Sequence, residues 1–233
     1  MATSGHEHAS DAEQTPPEAL IERIEVGQLE ANCYLVTCPR ERETLIVDPG
    51  AEAERILARV REFGTRVIGI AHTHGHFDHI SATEAVRAGL PERVPVWAHP
   101  ADLYLYDRRA RALGVPYGYP LPADLSLPGE QLTDGGALRV GRVRLEVIAT
   151  PGHTPGSVCL HLPEHWVISG DTLFRRGIGR TDLPGGEEDA MYESILTRLY
   201  PLPDELAVYP GHGDATTIAE ERHENPFVQA ADG

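Results

Sequence analysis

His74-Gly75-His76-Phe77-Asp78-His79, within the longer run Ile70-Ala-His-Thr-His-Gly-His-Phe-Asp-His79, decides how this chain is read. Three imidazoles and a carboxylate fall within six positions, directly after a short apolar run, Val67 to Ile70. Neutral imidazole and carboxylate oxygen are ligands for divalent metals of intermediate softness. His74 and His76 stand two apart and aim both rings at one point if the chain is extended or turning. Asp78 and His79 are adjacent, so they diverge and reach a second point. A solvated loop with scattered histidines is the bland explanation, but an H-x-H-x-D-H run at a strand end is hard to obtain that way. The segment reads as half of a two-metal site, and the partners available downstream are His153, Asp171 and His212.

Those partners share one layout. Val143 to Ala149 alternates as a half-buried strand and runs into Thr150-Pro-Gly-His153-Thr-Pro-Gly156. Trp166 to Ser169 ends in Gly170-Asp171, and Leu206 to Tyr209 ends in Pro210-Gly-His212-Gly213. Ligand types at the carboxyl ends of strands lie where open α/β sheets place their sites. The rest of the chain alternates short β runs with helices. Leu20 to Val26, Ala31 to Cys38 and Thr44 to Asp48 read as strands, Ala53 to Phe63 as a helix stopped by Gly64, and Val67 to Ile70 as a buried strand. A helix over about Asp78 to Ala88, a strand over Val94 to Ala98, a hairpin about Gly141 and an amphipathic helix over Glu187 to Leu199 follow. Two similar β-rich halves would then meet at a site along their shared edge. Residues 100–130 are irregular, with Tyr104, Tyr106, Tyr117 and Tyr119 among arginines and prolines, and read as a covering loop or lid. His72 and His99 lack ligand spacing and read as structural, and Asp48 reads as a turn carboxylate or a group supporting the metals.

Composition narrows the function. The chain has 233 residues, a 41% apolar fraction and a formal net charge of −16, and it contains no lysine. That charge repels nucleic acid and anionic membranes. No apolar run approaches the roughly 20 residues needed to span a bilayer, and no secretory signal is visible. Three cysteines, Cys33, Cys38 and Cys159, are too few and too apolar in setting for a disulfide scaffold, which points to a reducing, cytoplasmic location. Residues 1–18 are acidic and lack apolar periodicity, so a disordered tail is expected, followed by a single domain over 19–233. His6 and His8 in that tail read as bystanders.

The constellation divides into His74, His76 and His153 for one metal, and Asp78, His79 and His212 for a second, with Asp171 between them. Asp78 and Asp171 are also the candidate catalytic carboxylates. Two divalent cations against two carboxylates leave a positive centre that favours a bound hydroxide, so hydrolysis is the simplest chemistry. Zinc is the first expectation, with iron or manganese as alternatives. The four motifs His74-x-His-x-Asp-His79, Pro151-Gly-His-Thr-x-Gly156, Ser169-Gly-Asp171 and Pro210-Gly-His212 resemble those of the metallo-β-lactamase superfamily, in that family's order. The resemblance implies a four-layer αββα sandwich with the metals at the sheet edges. Gly170-Asp-Thr-Leu-Phe174, Gly179-Arg-Thr-Asp182 and Asn225-Pro-Phe227 look like its glyoxalase II branch, implying a thioesterase for S-lactoylglutathione-like substrates. Full-length enzymes of that branch carry a C-terminal glutathione-binding helical domain. The chain ends soon after His212 and is expected to lack it, so contacts to substrate would come from the 100–130 region, with Tyr117, or from Arg175, Arg176 and Arg180. Persulfide dioxygenases are similar too, and would use one iron on His74, His153 and Asp171. A lactonase and a non-catalytic binding protein are the remaining readings. The partner expected is a small molecule, and whether the chain is a monomer or homodimer is left open.

Overall fold

The computed structural model describes residues 19–121 and 126–229, so the expected tail over 1–18 lies outside the described residues. Strands β1 (Leu20–Val26), β2 (Ala31–Cys38) and β3 (Glu43–Val47) pair antiparallel in sequence. Helix α1 (Ala53–Phe63) crosses over, and β4 (Arg66–Ala71) returns parallel to β3. Helices α2 (Phe77–Ile80) and α3 (Thr83–Gly89) lead to β5 (Val96–Ala98), parallel to β4. A 3-10 turn over Pro100–Tyr106 and α4 (Arg108–Ala112) precede β6 (Glu130–Gln131), which closes the first six-stranded sheet. The second half runs β7 (Ala137–Val140), β8 (Val143–Ala149), β9 (Val158–Leu162) and β10 (Trp166–Gly170) as an antiparallel meander. A small hairpin, β11 (Leu173–Phe174) and β12 (Gly177–Ile178), and α5 (Glu188–Ser194) follow. Then β13 (Ala207–Pro210) joins β10 in parallel, β14 (Thr216–Thr217) pairs with β13, and α6 (Ile218–Glu224) packs last.

The layering follows from which faces are apolar. Val36, Leu45 and Val47 of the first sheet meet Val140, Leu145, Leu160 and Ile168 of the second in one buried cluster. The opposite face of the first sheet takes Ile56, Leu57 and Val60 of α1 and Val86 of α3. The opposite face of the second takes Met191 of α5 and Ile218 of α6. Two sheets sandwiched between helices make the αββα architecture, and β2, buried at every residue, has both faces covered as that arrangement requires. No helix among the described residues is long and apolar enough to cross a membrane.

Three expectations shift in detail. The helix over 78–88 is two pieces, because the Ala82 N–H bonds the Pro49 carbonyl at 3.0 Å instead of continuing the helix. Gly50 lies against the same bend, where a Cβ would sit 1.5 Å from the Asp78 carbonyl oxygen. The helix over 187–199 widens into a π turn at Ile195–Leu199. The strand at 94–98 begins only at Val96, which pairs with Ile70, and Pro95 before it has no N–H to donate.

Candidate metal centre

All seven expected ligand side chains gather where the two sheets meet. His74 and His76 follow the end of β4, and Asp78 and His79 lie on α2. His153 comes from the loop after β8, Asp171 from the end of β10, and His212 from the end of β13. Ligand atoms of His74, His76 and His153 lie within 4.8 Å of one another, as do those of Asp78, His79 and His212. Asp171 stands between the groups: Oδ2 is 3.4 Å from His153 Nε2, and Oδ1 is 3.4 Å from His79 Nε2.

The outer nitrogens explain why the inner ones converge. His79 Nδ1–H donates to Asp48 Oδ2 at 3.1 Å, His153 Nδ1–H to the Arg180 carbonyl at 2.7 Å and His212 Nδ1–H to the Leu29 carbonyl at 2.9 Å. His74 Nδ1–H meets Thr73 Oγ1 at 3.1 Å, and that hydroxyl donates to Asp48 Oδ2. Carbonyl oxygens only accept, so the proton of His153 and of His212 is fixed on Nδ1 and the Nε2 lone pair faces inward. Asp48 thus supports two of the histidines. It occupies the left-handed region at φ 52°, a conformation that favours glycine and that its hydrogen bonds to Thr73 and His79 hold in place.

Inward-facing nitrogens crowd one another unless a proton or a metal ion lies between them. His79 Nε2 and His212 Nε2 are 3.3 Å apart, and Asp78 Oδ2 is 3.3 Å from His212 Nε2. Ligands 2.0–2.1 Å from a tetrahedral metal stand about 3.3–3.4 Å apart, so these spacings suit a first-row divalent ion. Among the buried side-chain atoms left without a hydrogen-bond partner are His74 Nε2, in the first group, and Asp171 Oδ1, which stands 3.4 Å from His79 Nε2 in the second. The donor set therefore fits two metals.

Charge supports the division. Burial, then the neighbouring His79 and His153, hold His74 well below the ordinary imidazole value, and burial and His153 bring His76 down to about 4. Both are neutral ligands at pH 7. Around the second group burial pushes His79 down, but Asp171, Asp78 and Asp48 outweigh it and raise the pKa to about 10. Three carboxylates there create a demand for positive charge. Burial works against Asp78 ionising, yet His79 and His212 hold its carboxyl well below the usual range.

Two supporting features were not legible in the spacing. Asp102, 1% exposed, accepts from Gly75 N–H at 2.9 Å, Gly156 N–H at 2.7 Å and Thr154 Oγ1 at 2.7 Å, tying the first histidine loop to the His153 loop. Gly211 is required by packing, since a Cβ there would sit 2.0 Å from Asp171 Oδ1. Of the expected substrate contacts, Tyr117 and Arg180 both border a cleft of about 920 Å³ above the cluster. Tyr117 stacks on Phe77 at 6.2 Å, and the Arg180 guanidinium is paired with both Asp182 oxygens at 2.9 Å. Arg175 and Arg176 are absent from the cleft walls and pair with Glu220 and Glu224 instead. His72 is a core histidine, bonded to Tyr106 Oη and Thr83 Oγ1.

Comparison with known proteins agrees with this geometry. Residues 26–212 match the family model described as "Metallo-beta-lactamase superfamily". A "Probable metallo-hydrolase YqgX" of Bacillus subtilis is 38% identical over 88% of this chain and 96% of its own length. "Hydroxyacylglutathione hydrolase GloC" of Haemophilus influenzae is 35% identical over 90% of this chain and 98% of its own. Among solved structures, TTHA1623 in a di-iron-bound form superposes with a TM-score of 0.79 at 39% identity, covering 89% of this chain and all of that one. ETHE1 from Myxococcus xanthus gives 0.74 at 30% identity, covering 90% and 84%.

Proposed function

The chain belongs to the metallo-beta-lactamase superfamily, and from that premise we propose that it is a metal-dependent thioester hydrolase of the hydroxyacylglutathione hydrolase type. The observation that carries the reading is the set of inward-facing histidine nitrogens spaced about two carboxylates, with His74, His79, His153 and His212 held from behind by hydrogen bonds. His74, His76 and His153 would hold one divalent ion, and Asp78, His79 and His212 a second, with Asp171 shared. Bound there, such ions supply Lewis acidity towards a carbonyl and a water acidic enough to attack at neutral pH. Asp78, held ionised, accepts a hydrogen bond from the attacking water and orients it. Leu105 and Phe174 on the cleft walls exclude bulk water from the reacting carbonyl. The relative from Haemophilus influenzae supports the substrate class. Zinc is the metal proposed, with iron as its rival given the di-iron form of TTHA1623. Three buried free thiols and the net charge of −16 favour a reducing cytoplasm and a small-molecule partner rather than nucleic acid or a membrane.

Metal analysis beside hydrolysis of S-lactoylglutathione tests the reading. Two ions per chain and turnover that is lost in both His74→Ala and Asp171→Ala are expected. Undiminished turnover in either variant overturns the site. A second reading rests on the likeness to ETHE1: a single iron on His74, His153 and Asp171 serving persulfide oxidation. One iron per chain with oxygen uptake on glutathione persulfide would replace the hydrolase by that oxygenase.

A further inference from the structure

The cleft above the cluster has a composition that narrows the substrate within the proposed thioesterase activity, on which this inference rests. Its walls are largely apolar: Leu105, Leu113, Pro116, Phe174 and Leu183 line it alongside Tyr117. Leu113 is 65% exposed and Tyr117 48%, so apolar surface faces the cleft rather than the core. Apolar side chains held open to water at a binding site gain when a ligand covers them. Cations are scarce. The chain has no lysine, and among the described residues Arg109 and Arg180 are the only arginines that line the cleft. Asp182 neutralises the Arg180 guanidinium through two hydrogen bonds. Arg109 has no ion pair among the described residues and lies on α4, at the rim. A glutathionyl group brings two carboxylates and an ammonium, which call for at least two cations and an acceptor. Apart from the metals, the cleft offers one unpaired cation among the described residues, and the carboxylates that line it there, Asp78 and Asp171, belong to the metal cluster.

We propose that the preferred substrate is a thioester whose chain is aliphatic or aromatic and which carries a single carboxylate, the chain lying along Leu105, Leu113 and Phe174 and the carboxylate meeting Arg109. The cleft's volume of about 920 Å³ is ample for such a molecule. The overall charge of −16 acts in the same direction, because each added negative charge on a substrate slows its approach.

Acetyl, butanoyl and hexanoyl thioesters of 3-mercaptopropionate and of neutral 2-mercaptoethanol are compared with S-lactoylglutathione on the metal-loaded protein. A fully buried methylene is worth about fourfold, and these walls are half open, so a rise in kcat/KM of at least about tenfold from acetyl to hexanoyl is expected. Leu113→Ser flattens that slope. Arg109→Ala lowers the ratio of carboxylate to neutral thioester by about threefold to fivefold, as for an exposed ion pair. A flat chain-length series, a ratio unchanged in Arg109→Ala, or S-lactoylglutathione preferred tenfold over the hexanoyl carboxylate overturns the proposal. Calorimetry with the unreactive thioethers 3-(methylthio)propionate and 3-(hexylthio)propionate reads the cleft without turnover. Tighter hexyl binding supports the assignment, and equal binding overturns it. If no thioester is hydrolysed by protein holding two metals, the thioesterase reading fails while the thioether series still decides what the cleft accepts.

Discussion

Asp102→Ala should weaken the fold and the metal centre together. The carboxylate is buried and accepts three hydrogen bonds, from Gly75 N–H, Gly156 N–H and Thr154 Oγ1. Thr154 has an alternative in Ser157 Oγ at 2.8 Å, so its hydroxyl is not stranded. The two backbone N–H groups belong to buried glycines and make no other hydrogen bond among the described residues, at a cost of about 1–3 kcal/mol each. Relief from burying a carboxylate offsets part of that sum, leaving a net loss of about 2–4 kcal/mol. Against a typical domain stability of about 5–15 kcal/mol the variant still folds. Urea unfolding of the chelated protein at pH 7 reads the loss directly. The second readout is metal content. Gly75 lies between His74 and His76, and Gly156 closes the loop that carries His153, so occupancy of that group of ligands should fall. Asp102→Asn keeps one acceptor and should recover part of both effects. A loss below about 1 kcal/mol together with full metal content would refute the claim that this carboxylate joins the two loops.

Chelation and reloading should move the melting temperature. At a hundredfold excess over Kd each site contributes about 2.7 kcal/mol, or about 5–10 °C for a domain of this size, and His74→Ala and His212→Ala should each remove one step; an unchanged midpoint on reloading would sink the two-site assignment. Gly211→Ala places a methyl into Asp171 Oδ1, so metal content should drop by at least one ion while the circular dichroism of the fold persists; two retained ions would show that Asp171 is not needed where it stands. Burial raises the Asp102 pKa, with Thr154, Gly75 and Gly156 pulling it back. A raised folded-state value means stability is present below about pH 4 and is lost as pH rises through the folded pKa, so the stability margin of wild type over Asp102→Asn should widen as chelated protein is taken from neutral pH towards pH 4, and a margin that narrows would reverse the assigned sign.

The ligands were legible because metal chemistry restricts residue type and the strand ends restrict position. His153, Asp171 and His212 each follow a β run and sit in a Gly-marked turn, so type and place coincided. The supports were hidden for the opposite reason. Leu29 and Arg180 act through backbone carbonyls, which any residue supplies. Asp102 sits in a stretch of mixed tyrosines and arginines, where nothing in its neighbours distinguishes it from a solvated acid. Its role becomes visible only once the loops at Gly75 and Gly156 are brought to it. Arg175 and Arg176 mislead for a related reason: sequence shows a cation but not the carboxylate that claims it. The helix break at Ala82 was equally unreadable, since it depends on Pro49, which lies far back in the chain.

The same supports explain why the centre lies where the two sheets meet. His79 is fixed by Asp48 after β3, His212 by Leu29 in the turn between β1 and β2, His153 by Arg180 after β12. Leu29 belongs to the first half of the chain and His212 to the second, and the Asn32 N–H bonds the Gly211 carbonyl at 2.7 Å across the same junction. Asp102 does the same between the loops after β4 and β8. Neither half holds a complete set of ligands with their tautomers fixed. Metal affinity is therefore a readout of how the halves dock, and a substitution at that junction that removes no ligand, such as Asn32→Ala, should loosen the metals before it unfolds either sheet. Asn32 Nδ2 donates to the Pro210 and Gly213 carbonyls at 2.9 Å on either side of His212, so the alanine variant should release the second ion at lower chelator concentration than wild type. Equal chelator midpoints would mean that His212 is held by its own turn alone.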